Sequence, residues 1–140
     1  MGCYYVWATR ELPELSTALR ENLMQAGGAL DGSAYAFGEE CRADSGEVTF
    51  LAMQTDFRVR AHVDSLENEA ALGNSIRAAM TAIEALGDEQ LSGRGPGRVE
   101  FEFTAPDGQA LRLIIEVTRF RQEAGNLEGS ALFGLFQASP

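Results

Sequence analysis

Between Phe57 and Asp64 the chain alternates strictly, with Phe57, Val59, Ala61 and Val63 set against Arg58, Arg60, His62 and Asp64. A period of two marks a strand with one buried and one solvated face. The run before it alternates Val48, Phe50 and Ala52 with Thr49, Leu51 and Met53. A two-residue turn at Thr55-Asp56 brings Val48 opposite Val63, Phe50 opposite Ala61 and Ala52 opposite Val59, all on one face. Thr-Asp is not a favoured hairpin pair, so a longer turn is the alternative. A second hairpin is centred on Ala105-Pro106-Asp107-Gly108, where Pro and Gly occupy the positions a tight turn wants. That turn pairs Phe103 with Leu111, Phe101 with Leu113 and Val99 with Ile115, and on the other face it sets Glu102 against Arg112.

Helical spacing appears twice. Leu12, Leu15, Leu19, Leu23 and Ala26 recur at intervals of three and four behind Pro13, and Gly27-Gly28 closes the segment. Leu72, Ile76, Ala79, Met80 and Ile83 form the second stripe. It opens at Asp64-Ser65-Leu66-Glu67, with an acidic cap and a glutamate at the capping-box position, and it ends at Gly87. Tyr4–Ala8 predicts a short strand. Asp31-Gly32-Ser33 predicts a turn before another short strand at 34–37, and Glu39–Gly46 an acidic loop. Gln90–Arg98 is glycine-rich and predicts a mobile connector. After Arg121 the pattern loosens, then ends in the apolar run Leu132–Phe136.

The predicted fold class is therefore α+β: a mostly antiparallel sheet of two hairpins plus short strands, with two helices packed on one face. The length predicts a single domain over residues 1–140, with 122–140 a looser C-terminal segment carrying an apolar tail.

Composition narrows the chemistry. The chain has no lysine, eleven arginines, 21 acidic residues and one histidine, His62, for a formal net charge of -10. There is no amine for a Schiff base and one imidazole, which leaves few groups that titrate near neutrality. Nucleic acid is an unsuitable partner, since phosphate neutralisation needs a concentrated basic face. No stretch approaches the ~20 apolar residues of a membrane span, and the N-terminus shows no secretory pattern. Gly2-Cys3 hints at acylation, but Val6 stands where the myristoylation pattern wants Ser or Thr. Arginine without lysine, beside abundant alanine and glycine, fits a GC-rich bacterial genome. Two cysteines are too few for a disulfide framework. Cys3 and Cys41 are expected as free thiols in a reducing cytoplasm, with a single bridge the alternative.

Arg58, Arg60 and His62 project from one strand face as a candidate anion clamp. The competing reading pairs these arginines with Glu100, Glu102 or Glu116 of the second hairpin. The loop Gly93–Arg98 lacks the strand-to-helix context of a phosphate loop. Cys41 with Glu39, Glu40 and Asp44 has no zinc spacing, so no metal and no cofactor are expected. A Cys–His nucleophile pair, Cys41 or Cys3 with His62, rests on chance co-occurrence alone. Leu51, Met53 and Ile114 fall on the polar side of their strands. With Leu132, Phe133 and Phe136 they would form an apolar patch on the outer sheet face, covered either by the C-terminal tail or by a partner. The expected function is a non-enzymatic, acidic protein–protein interaction domain (adaptor, chaperone or immunity-type binder). Glu100 and Glu102 would steer a basic partner and set the salt dependence of association, the partner being another protein or a second copy in a homodimer. The alternative is a domain or enzyme for a small anionic ligand held by Arg58, Arg60 and His62.

From Glu11 to Phe120 the expected order is helix, three strands, helix, two strands. At this length and acidity that order resembles the class I type III secretion chaperones, which are dimeric and hold effector segments in extended form. The resemblance lies in element order and charge, without a sequence motif. The strand at Tyr4–Ala8 and the lack of a long final helix depart from it.

Overall fold

The second half of the long central strand runs out of phase with the first, and one extra residue resolves the mismatch. In the computed structural model, which describes residues 2–27 and 29–137, the central strand β3 is unbroken from Val48 to His62. It pairs antiparallel with β2 (Leu30–Ala43), which is long enough to receive it end to end. Phe37 faces Gln54 and Gly38 faces Ala52, so Met53 is left over as a β-bulge. A bulge adds one residue to one strand and inverts the parity beyond it. Phe50 and Ala52 therefore share a face with Phe57, Val59 and Ala61. The sequence expectation of a turn at Thr55-Asp56 is corrected: both residues are buried inside a continuous strand.

Two further expectations change with it. The turn at Asp31–Ser33 is absent because these residues begin β2 and pair with Arg58, Val59 and Arg60. The Glu39–Gly46 loop is strand as far as Ala43. Between the two helical stripes there are now two strands instead of three. The element order behind the chaperone resemblance is thus not realised.

The remaining strands are β1 (Cys3–Glu11), β4 (Pro96–Thr104) and β5 (Ala110–Glu116). The five form one sheet in the order β1-β2-β3-β4-β5. Every neighbouring pair is antiparallel except β3–β4, which is parallel. A parallel pair needs a crossover of a dozen or more residues. Helix α2 (Glu69–Glu84) lies within that connection. The β4–β5 hairpin has the expected register, with Phe103, Phe101 and Val99 opposite Leu111, Leu113 and Ile115 and Glu102 opposite Arg112.

Helix α1 spans Pro13–Ala26 with proline in its first turn and Leu15, Leu19 and Leu23 buried. The predicted stop includes Gly28, which lies outside the described residues. Helix α2 buries the expected stripe but starts later than Asp64. Its cap is Asn68, whose Oδ1 accepts from the Ala71 N–H at 3.2 Å. Two shorter helices were not expected: α3 (Val117–Glu123) and α4 (Gly129–Gln137). The core gathers all four helices against one sheet face, with Leu19, Ile76, Met80, Phe120 and Phe136 meeting Phe57, Val59, Phe101 and Ile115. Positions 138–140 of the predicted looser segment lie outside the described residues.

The glycine-rich connector is pinned. Thr55 Oγ1 donates to the Ser92 carbonyl at 3.0 Å and accepts from the Ser92 N–H at 2.7 Å. The buried Asp56 carboxylate accepts from Gln54 Nε2 at 2.8 Å and from the Arg98 N–H at 2.9 Å. At Gly97 a Cβ would meet Asp56 Oδ1 and Gln54 Nε2, so glycine lets the loop approach without displacing the side chains that bond it. Buried polar groups in a strand are stable only when paired, and this loop supplies the partners.

Candidate functional site

Sheet register sorts the candidate residues into two regions of the outer face. Across the middle of β3, β4 and β5 the outward positions Arg58, Arg60, Glu100, Glu102 and Arg112 are charged. Arg58 Nε lies 3.5 Å from Glu100 Oε2, and its guanidinium sits 4.6 Å from the Tyr35 ring centroid. Arg60 Nε lies 3.9 Å from Glu102 Oε1, and Arg112 Nη2 lies 3.0 Å from Glu102 Oε2. Cross-strand pairs of this kind are what a solvated sheet face carries, and each adds only a few tenths to about 1 kcal/mol. Burial first, and then the Asp56 carboxylate, raise the Tyr35 hydroxyl above the ordinary tyrosine range.

Arg58, Arg60 and His62 all face outward from β3, along two neighbouring depressions. Arg58 and Arg60 line a shallow depression with Glu11, Arg20, Asp31 and Ser33. His62 faces a different depression, beside Asp64, Thr104 and Pro106. Glu100 and Glu102, expected to steer a partner, are occupied by arginines of their own sheet. Among the described residues no group of three His, Cys, Asp or Glu side chains could hold a metal ion.

The apolar candidates also separate. Leu132, Phe133 and Phe136 are buried in the core on the helix side of the sheet, so they contribute nothing to an outer patch. Their helix α4 packs chiefly against α2. Ile114 is 52% exposed, opposite Glu100 on the far edge strand. Leu51, 69% exposed, lies six or seven residues up β3 from that row, on the order of 20 Å away. Met53, the bulged residue, is next to it and partly exposed.

What surrounds Leu51 was not foreseen. Strand β1 and the adjoining ends of β2 and β3 form a three-stranded arm, in which no residue of β1 or of 39–53 is buried. Trp7 and Tyr5, on the outer face of β1, are 63% and 61% exposed. Trp7 stacks on Phe37 of β2 with ring centroids 5.4 Å apart and planes inclined by 16°. Leu51 sits in the same cross-strand row as Trp7, with Glu39 between them. On the opposite face of the arm, Tyr4 and Val48 are exposed as well, and Arg10 lies 4.5 Å from the Phe50 ring centroid. The sequence did carry a signal: Tyr4-Tyr5-Val6-Trp7 has no polar alternation, so β1 turns apolar groups to both faces.

The two cysteines meet on this arm. Cys3 faces Ala43 and Cys41 faces Tyr5, and the diagonal pair is joined as a disulfide with Cα atoms 5.4 Å apart. The expectation of free thiols is corrected, since antiparallel pairing of β1 with β2 brings the two residues within bridging reach. Among the described residues no helix is long and apolar enough to cross a membrane. Comparisons with protein-family models, with curated proteins and with solved structures find no match to the chain.

Proposed function

We propose that this is a non-enzymatic protein–protein interaction domain that docks through the outer face of the three-stranded arm. The observation carrying this reading is the exposure of Trp7, Tyr5 and Leu51 together on one sheet face. Contiguous exposed apolar side chains on a folded surface mark sites of association, and aromatic residues lead the composition of interface centres. The arm is acidic around this patch, with Glu11, Asp44 and Glu47 at its ends and Glu39 between Trp7 and Leu51. The partner is a protein, either basic or a second copy of this chain, and neither nucleic acid nor a bilayer. A net charge of -10 favours a basic partner by accelerating encounter.

The anionic-ligand reading loses ground because Arg58 and Arg60 are matched to Glu100 and Glu102 by the fold itself. The cytoplasmic expectation drew on free thiols as well as on the N-terminal pattern, and the Cys3–Cys41 bridge removes the first ground, since such bridges persist in oxidising surroundings.

Leu51→Asp tests the docking reading, with Ile114→Asp as the control on the distant charged region. Each tagged variant is used to capture partners from host extract, with circular dichroism to confirm the fold. A protein retained by the wild type and by Ile114→Asp, but lost with Leu51→Asp, supports the arm. Equal retention by all three rejects it.

A further inference from the structure

Strand β1 is an edge, and its own sequence is complementary to itself. We propose that two copies of the chain associate by antiparallel pairing of β1 with β1 about a twofold axis at Trp7, joining the two sheets into one. The proposal deepens the self-association half of the docking reading. It uses the backbone edge of the arm, whereas docking uses the outer face.

The free edge can be assigned residue by residue. The Leu12 N–H donates to the Ala34 carbonyl at 3.0 Å, in continuity with the β1–β2 register. In an antiparallel ladder, alternate residues direct their backbone groups to the same neighbour. Even-numbered residues of β1 are therefore bonded to β2. Cys3, Tyr5, Trp7, Thr9 and Glu11 turn their N–H and C=O groups to the open side. Among the described residues no helix is packed across β1, whereas the opposite edge strand β5 packs with α3 and α4.

Proteins guard exposed edges with lysine, proline, bulges or short strands. Strand β1 is lightly guarded: it is nine residues long, regular against β2, without lysine or proline, and charged only at Arg10 and Glu11 at one end. It is also rich in aromatic and β-branched residues, which favour pairing.

The occupant follows from the distribution of charge along the strand. Its two charged residues, Arg10 and Glu11, both lie at the C-terminal end. Parallel in-register pairing would set Arg10 on Arg10 and Glu11 on Glu11. Antiparallel pairing centred on Trp7 brings open-edge residues opposite open-edge residues: Trp7 with Trp7, Tyr5 with Thr9, and Cys3 with Glu11. Between them Val6 meets Ala8 and Arg10 meets Tyr4. No like charges face each other, and each Arg10 gains a second aromatic ring beside Phe50. A twofold, self-matching contact is the commonest oligomer geometry. The merged arms would also carry a doubled outer face around the axis.

The full oxidised chain is examined by sedimentation at low and high salt, with the fluorescence of its single tryptophan as a second readout. The expected species has twice the chain mass. It forms with a concentration-dependent change in Trp7 emission. Association tightens as salt rises, because two chains of net charge -10 repel. Thr9→Pro removes an N–H that only the open edge uses, so it keeps the β1–β2 ladder and weakens the dimer at least tenfold. Trp7→Lys sets two ammonium groups across the axis and gives the same loss if the proline variant misfolds. Leu51→Asp leaves the dimer intact, which separates failure of the edge from failure of outer-face docking. A wild-type chain that stays monomeric at every salt, or a dimer indifferent to both β1 variants, overturns the proposal.

Discussion

Tyr35 shows how one side chain records its place in the sheet. Its ring lies beneath the Arg58 guanidinium and its hydroxyl is partly shielded from water near the Asp56 carboxylate. Both burial and Asp56 disfavour the phenolate, so the folded protein holds this proton more tightly than the unfolded chain. The stabilising contribution is complete below about pH 10, the ordinary tyrosine value, and declines as pH rises from there through the raised value. Tyr35→Phe keeps the ring and the cation–π contact while deleting the proton. Urea midpoints taken across the alkaline range should fall less steeply for the variant than for the wild type. Parallel slopes would mean that Tyr35 titrates as if unfolded. Asp56 and Thr55 make a related point. Read along the chain they look like turn residues, because polarity in the middle of two apolar runs suggests solvent. In the fold, the loop at 92–98 supplies the hydrogen bonds water would have given.

The elements differ in how far they could be anticipated. Helix α2 and the β4–β5 hairpin follow from local pattern, since the apolar stripe from Leu72 to Ile83 and the Pro106–Gly108 turn each act within a few residues. Helices α3 and α4 escaped because they are short. Val117, Phe120 and Ala124 have helical spacing over barely two turns, and Gly129 and Gly134 dilute the signal in α4. Helix α4 owes its position to contact with α2. A Cβ at Gly73 would run into the Gly129 backbone, and the Gly129 N–H donates to Asn74 Oδ1 at 3.1 Å. Gly73→Ala should cost about 1–3 kcal/mol by forcing the two helices apart, despite the better helix propensity of alanine. Equilibrium denaturation measures that loss. An alanine variant as stable as the wild type would show that α4 yields without penalty.

For the whole molecule, the arm and the disulfide belong together. The bridge joins residues separated by 38 positions and encloses α1. A loop of that length predicts about 4 kcal/mol of stabilisation from the restricted unfolded chain. Cys3→Ser, or reduction of the wild type, should lower stability by up to that amount, with β1 loosening first because no helix covers it. Amide exchange resolves the order of loosening. Two reactive thiols in the native unreduced protein would show that the bridge does not form. The same exposure that leaves β1 dependent on its bridge also makes it available for pairing.

Several properties were settled by the sequence alone: the α+β class, the inward sides of β4 and β5, the two long helices, the acidic charge and the scarcity of groups that could do chemistry. Each depends on composition or on a period that repeats over a few residues. Chain-distant partners decided the rest. Whether residues 48–62 fold back or run straight depended on β2 being long enough to pair with all of them. Whether Leu132–Phe136 lies outside or inside depended on α2. Exposure of Tyr4 and Val48 depended on which part of the inner sheet face the four helices fail to reach, and that of Trp7 and Leu51 on the outer face carrying no second layer among the described residues. Periodicity says which way a side chain points along its own strand; only packing says whether anything waits there to cover it.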